Sequence, residues 1–252
     1  MINHVYGNVR INILKNFKRF IEYFILMILG FFYKFNSNQK IIISSAMYAP
    51  WLADKKFFKL YSKLKDHTII DEARAFTLWY ISDSLKNTSG DIFDIGCMKG
   101  GAGILMAKAN KNVRSKIYFI DTFEGFIKTS GEHKKDKTFV YEKTDELKKN
   151  LKDFKIKNFN VIKTRFPKKF KFYNKIKLCH LDINVYEDTL SSFIEVDKYL
   201  VKNGVIVFDD FGIFKVDGII KSVKKIIEKK YDKKYHIIYN YMGQCIMIKK
   251  SF

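Results

Sequence analysis

Proline is nearly absent from this chain: Pro50 and Pro167 are the only two in 252 residues, beside 13 glycines. That excludes a Pro/Gly-rich, low-complexity or disordered character for the chain as a whole. Cysteine is also scarce. Cys97, Cys179 and Cys245 are odd in number and scattered, and no C-x-x-C spacing occurs. A disulfide framework and a cysteine zinc site are therefore unsupported, and the three read as small core residues in a reducing compartment. Arginine is the third shortage: Arg10, Arg19, Arg74, Arg114 and Arg165 are five of 47 basic side chains. The net charge of +21 invites a nucleic-acid partner, but arginine is the residue suited to bidentate phosphate and base recognition. The surplus reads first as solvated lysine surface, then as attraction to an anionic substrate or membrane. No specific nucleic acid is expected.

A full membrane-spanning run is lacking too. The uncharged stretch YFILMILGFFY between Glu22 and Lys34 falls short of the ~20 apolar residues a span needs. No small-residue cleavage site follows it, so it is a poor signal peptide. Three readings stand. It is a helix lying in the membrane interface, giving peripheral contact through residues 20–35; a helix packed on the domain or on a second copy in a homo-oligomer; or a true span. Residues 1–40 are thus set apart as a hydrophobic, basic helical extension. The expected location is the cytoplasm, at the inner face of the membrane if the lipid reading holds.

What is present is a core. At 47% hydrophobic the chain can bury one sizeable interior. In residues 41–90, FFKLYSKLKDH and EARAFTLWYISDSL repeat apolar residues at three- and four-residue spacing, which predicts helices forming a cap or lid. From 91 to 252 strands and helices alternate. Strands are expected near 91–95, 117–121, 159–163, 176–182, 204–209, 235–240 and 244–249, and helices near 101–110, 142–153, 188–201 and 216–230. This predicts an α/β fold, Rossmann-like, with a mostly parallel seven-stranded sheet covered by helices on both faces.

In such a sheet ligands bind at the carboxyl ends of the strands, near the switch point. The first strand ends at Asp94–Ile95–Gly96 in DIFDIGCMKGG. Gly96 permits a tight turn, and Gly100 and Gly101 permit close approach of a ligand. The spacing fits neither G-x-G-x-x-G nor a phosphate-cradling loop. A turn with an acid before it and no phosphate cradle suits a ligand with a positive end, such as the sulfonium and amino group of S-adenosylmethionine. The second strand ends in Asp121, placed to accept hydrogen bonds from two ribose hydroxyls. The candidate cofactor set is Asp94, Gly96, Cys97, Gly100, Gly101, Asp121, Thr122 and Phe123.

Asp182 ends a later strand, and Asp209 and Asp210 end the next. If those strands are neighbours, three poorly solvated carboxylates meet and repel. Mg²⁺ would relieve them; the alternative is that Asp182 caps a helix while Asp209 and Asp210 face solvent in a turn. A metal would acidify and orient a substrate hydroxyl.

At this point the residues resemble the macrocin O-methyltransferase (TylF-type) family of class I S-adenosylmethionine-dependent enzymes. The likeness spans roughly 47–249 through MYAPWLADKKFFKLY, KDHTIIDEARAFTLWY, DIFDIGCMKGGAG, IDTFEGF, SGEH, CHLDINVYEDT and NGVIVFDDFG. The resemblance implies O-methylation of a sugar hydroxyl with Mg²⁺, on a polysaccharide, glycolipid or glycosylated metabolite. It implies Asp182, Asp209 and Asp210 as metal ligands and Asp182 as general base. Two positions depart from the pattern: Asn184 stands where the family often has a second acid, and Phe211 where it usually has tyrosine.

Tyr48, Trp51, His133 and Tyr186 are candidate substrate contacts. Phe166–Pro167 is a candidate border for the adenine. His180 reads as a satisfied core histidine, and Arg74 as a partner of Asp71 or of an acid near the pocket. Two rival functions remain from sequence: an RNA methyltransferase, drawn by the charge, and an inactive membrane-associated scaffold of the same fold.

Overall fold

The computed structural model describes residues 49–125, 144–167, 174–213 and 217–251, together with helical positions 17, 20, 21, 24, 25 and 28. Two units divide at 48/49. In the first, Phe17, Phe20, Ile21, Phe24, Ile25 and Ile28 are exposed. Among the described residues no helix is long and apolar enough to cross a membrane.

The second unit opens with helices α1 (Lys55–Leu64) and α2 (Glu72–Ser84). It then alternates β1 (Asp91–Ile95), α3 (Gly101–Asn110), β2 (Ile117–Asp121), α4 (Thr144–Asp153), β3 (Phe159–Lys163), β4 (Ile176–Leu181), α5 (Tyr186–Tyr199), β5 (Leu200–Phe208), α6 (Asp217–Glu228), β6 (Tyr235–Asn240) and β7 (Gln244–Lys249). Both early helices start at an aspartate. Asp54 accepts from the amides of Lys56 and Phe57, and Asp71 from those of Ala73 and Arg74. Each satisfies donors that an α-helix leaves orphaned at its first turn.

The strands run in the order β3-β2-β1-β4-β5-β7-β6, with β7 antiparallel to both its neighbours. β1 and β4 are buried at every position, because helices cover both faces of a parallel sheet. Edge strand β3 is only half-buried. Successive residues alternate between two cores. Ile92, Leu178 and Val207 pack with Phe57, Leu78, Trp79, Ile104 and Leu105 from α1, α2 and α3. Phe93, Cys179, Ile206 and Phe208 pack with Phe193, Val196, Ile219 and Val223 from α5 and α6. The two early helices therefore share the core of the sheet. All three cysteines are free and buried.

The expected elements sit where the periodicity puts them, with one marked shift. β5 begins at Leu200, directly after α5, rather than at 204. Register slips between Ile176 and Leu178 opposite this start. The residues Val201, Lys202 and Asn203 belong to the strand although they are not buried, and hydrophobic patterning misses strand outside the core.

Candidate active site

The order of strands reverses at β1, whose neighbours are β2 and β4, and the site lies at the carboxyl ends of these strands and β5. Gly96 (φ +88°) follows β1. A Cβ there would lie 2.0 Å from the backbone oxygen of Asp182. This glycine is thus what lets the ends of β1 and β4 touch. An open cleft forms beside it, lined by Gly96, Met98, Asp121 and Thr122 together with Asp182, Asn184 and Asp210.

Asp121 is braced on both oxygens. Oδ2 accepts from the Met98 amide and Oδ1 from the Phe123 amide, each at 2.8 Å. Burial nevertheless raises its pKa, and those hydrogen bonds offset only part of the rise. A carboxylate held this way at the cleft wall still has lone pairs for ligand hydroxyls. Thr122 and Phe166 also line the cleft.

Several expected contacts have other duties. Asp94 is completely buried and bonds His180. Gly100 (φ +85°) starts α3 against Leu147, and Gly101 packs under the backbone of His67. These two glycines admit protein neighbours rather than a ligand. Cys97 borders a smaller adjoining cavity. Phe123 is fully buried, with only its amide serving Asp121. Trp51 packs against the core of α1–α3. Tyr186 is the first residue of α5, and its backbone oxygen accepts from Ser222. Tyr48 and His133 lie outside the described residues.

The acids behave as a network, and register explains why. Asp94 on β1 pairs with His180 on β4, which pairs with Val207 on β5. Asp182 and Asp209 lie two residues beyond His180 and Val207, so all four polar groups share one sheet face. His180 Nδ1 is 2.8 Å from Asp94 Oδ1, and Nε2 is 3.2 Å from Asp209 Oδ2. Burial disfavours a charged ring, but the hydrogen bonds to Asp209 and Asp94 outweigh it and push the pKa up to about 10. His180 is therefore an imidazolium donating to two carboxylates. It is a satisfied core histidine, as expected, but what satisfies it is the acid site.

Arg74 completes the network. Its Nε donates to Asp71 Oδ2 at 2.7 Å, and one terminal nitrogen, Nη1, donates to Asp209 Oδ1 at 2.9 Å and Asp210 Oδ1 at 2.6 Å. Asn184 (φ +62°) donates to Asp210 Oδ2 at 2.9 Å. Burial works against Asp209's charge, but His180 and Arg74 hold its carboxyl below the ordinary range. Asp182 is the opposite case. No hydrogen bond among the described residues reaches its carboxylate, and burial followed by the charge of Asp209 pushes its pKa well above normal. It is a base looking for a proton or a cation. Sequence reasoning missed His180 as a member of the site, because only strand register reveals its neighbours. Arg74 was visible as a candidate but 135 residues from Asp209 in the chain.

Is there room for a metal? His180, Asp182 and Asp209 offer ligand atoms within 4.8 Å of one another. Both ring nitrogens of His180 are already donated, so the oxygen donors remain: Asp182 and Asp209, with Asp210 adjacent. Hard carboxylate oxygens, one of them unpartnered, fit a hard dication such as Mg²⁺. Four carboxyl groups (Asp94, Asp182, Asp209, Asp210) face two protein cations.

A seven-stranded sheet in this order, with helices on both faces, is the framework of class I S-adenosylmethionine-dependent methyltransferases. The comparisons agree. The family described as Macrocin-O-methyltransferase (TylF) matches residues 64–231, and the chain belongs to that family. Among solved structures, the O-methyltransferase NovP superposes with a TM-score of 0.62 at 16% identity, covering 73% of this chain and 83% of its own. The calicheamicin methyltransferase CalS11 gives 0.57 at 14%, covering 85% and 99%. These likenesses show the fold. No curated protein matches the chain by sequence.

Proposed function

We propose that this enzyme transfers the methyl group of S-adenosylmethionine to a sugar hydroxyl, with Mg²⁺ held by Asp182, Asp209 and Asp210 and with Asp182 as general base. One observation carries it: the Asp182 carboxylate, unpartnered among the described residues, lines the same cleft as the braced Asp121. Family membership supports O-methylation. The substrate class rests on the similarity to CalS11, which is described as a TDP-rhamnose 3'-O-methyltransferase.

Asp121, with Gly96, Met98 and Thr122, would bind the nucleoside end of the cofactor, and Phe166 would border its base. The cleft that holds the cofactor would thus also present Asp182. The cofactor, when bound, would supply the methyl group, its C–S bond breaking with the electron pair left on sulfur. Asp182 would take the proton of the sugar hydroxyl that accepts the methyl group. Placing the two reactants in this geometry supplies much of the rate, and Asp182 at the cleft wall is placed to take the proton. The metal, when bound, would lower the pKa of the hydroxyl and orient it. His180 and Arg74 hold Asp209 ionised, and Arg74 and Asn184 hold Asp210 in place.

The test is calorimetric titration of S-adenosylmethionine and then Mg²⁺, on wild type and on Asp209→Ala/Asp210→Ala, followed by methyl transfer from labelled cofactor to a panel of nucleotide-linked sugars. Cofactor and Mg²⁺ binding, with Mg²⁺ binding alone lost in the variant, supports the reading. Cofactor binding without Mg²⁺ binding overturns the metal role, and transfer to no sugar overturns the substrate class.

A further inference from the structure

The acid pair carries a cation of its own. All four carboxylate oxygens of Asp209 and Asp210 are hydrogen-bonded within the protein. Asp209 Oδ1 accepts from Arg74 and from the Asp210 amide, and its Oδ2 from His180. Asp210 Oδ1 accepts from Arg74 and its Oδ2 from Asn184. The guanidinium that bridges them is mostly buried, with its side chain 11% exposed. It is also aimed. Asp71 caps α2 with one oxygen and grips Arg74 Nε with the other. Arg74 is in the first turn of α2, and the segment leading into that turn lines the cleft through Ile69 and Ile70.

We infer that Arg74 is a tethered cation that competes with the divalent metal for Asp209 and Asp210, so that the acid site alternates between an arginine-filled and a metal-filled state. The inference rests on the metal site proposed above. The physics is direct. A dication beside these carboxylates meets a positive charge already within hydrogen-bond distance of both. It must either displace the guanidinium or bind against its repulsion. Asn184 acts in the same direction, since its amide donates to an oxygen of Asp210 that a metal would use. In the arginine-filled state no hydrogen bond among the described residues reaches the Asp182 carboxylate at the cleft wall, which makes it the point at which an incoming cation first gains.

The experiment reads metal binding rather than turnover. Mn²⁺ uptake is followed by loss of the free-ion signal in electron paramagnetic resonance, for wild type, Arg74→Met and Asp71→Asn, each first shown to bind S-adenosylmethionine. Asparagine also caps helices well, so Asp71→Asn frees the arginine while keeping the helix start. Arg74→Met is expected to bind Mn²⁺ at least ~10-fold more tightly than wild type, and Asp71→Asn to fall between them. Added salt gives a second check: the gap between wild type and Arg74→Met should persist, because the guanidinium is buried. Equal or weaker Mn²⁺ binding by both variants overturns the inference. If no protein in the set takes up Mn²⁺ while all bind the cofactor, this inference and the metal role fall together, and the methyltransferase reading stands on the cofactor result.

Discussion

Replacing His180 by alanine removes the one cation between two buried carboxylates. Asp94 and Asp209 are both fully buried, and His180 is 1% exposed. Breaking a buried ion pair by deleting one partner leaves an uncompensated charge and costs about 3–5 kcal/mol. The pH dependence sharpens the test. The ring's pKa is about 10 in the folded chain, against 6.5 ordinarily. A raised folded-state pKa means that the protonated ring's stabilisation is complete below about pH 6.5 and is lost as pH rises through 10. Between those limits the folded state holds one proton more than the unfolded state, so this group lowers stability by up to about 1.4 kcal/mol per pH unit. Urea denaturation of ligand-free wild type and His180→Ala at pH 7 and pH 9 measures both effects. The variant should be about 3–5 kcal/mol less stable at pH 7, and the gap should narrow clearly at pH 9. Lysine and tyrosine titrations are common to both proteins and cancel in the difference. A loss under about 1 kcal/mol at pH 7, or a gap that does not change with pH, refutes a buried imidazolium.

Other consequences are open to measurement. Asp182→Asn should abolish methyl transfer while leaving the cofactor dissociation constant within about twofold, since the proposed mechanism gives the proton to Asp182 and the ribose to Asp121; normal turnover would remove it as the base. Asp121→Ala should weaken cofactor binding about 10- to 150-fold by calorimetry, the worth of one charged hydrogen-bond set, with turnover at saturating cofactor much less affected. Gly96→Ala places a methyl group 2.0 Å from the Asp182 backbone oxygen at φ +88°. Strain of about 1–2 kcal/mol from the left-handed backbone alone, plus displacement of the β4 end, should cost both stability in urea and cofactor affinity.

The part of the cleft formed by β1 and β2 was legible in the chain because it is local. A short apolar strand, a glycine and an acid one strand later are read within about 30 residues, and Gly96 and Asp121 both reach the cleft. Gly100 and Gly101 have the right composition for ligand approach, but the groups that crowd them are Leu147 and His67, which come from other parts of the chain. Asp94 looked like a cofactor acid from its place at the end of β1, yet alternation turns its carboxylate to the face where His180 stands.

The sequence by itself determined the alternating strands and helices, the two aspartate caps, and the acids at strand ends, because hydrophobic period and capping are properties of neighbouring residues. Only the tertiary structure decided what those acids meet. Strand order and register set Asp94, His180, Asp182 and Asp209 on one face, and the packing of α2 brought Arg74 onto Asp209 and Asp210. Charges interact through space, and the carboxylates of this site are brought together with their cations by a sheet register that no stretch of the chain encodes alone.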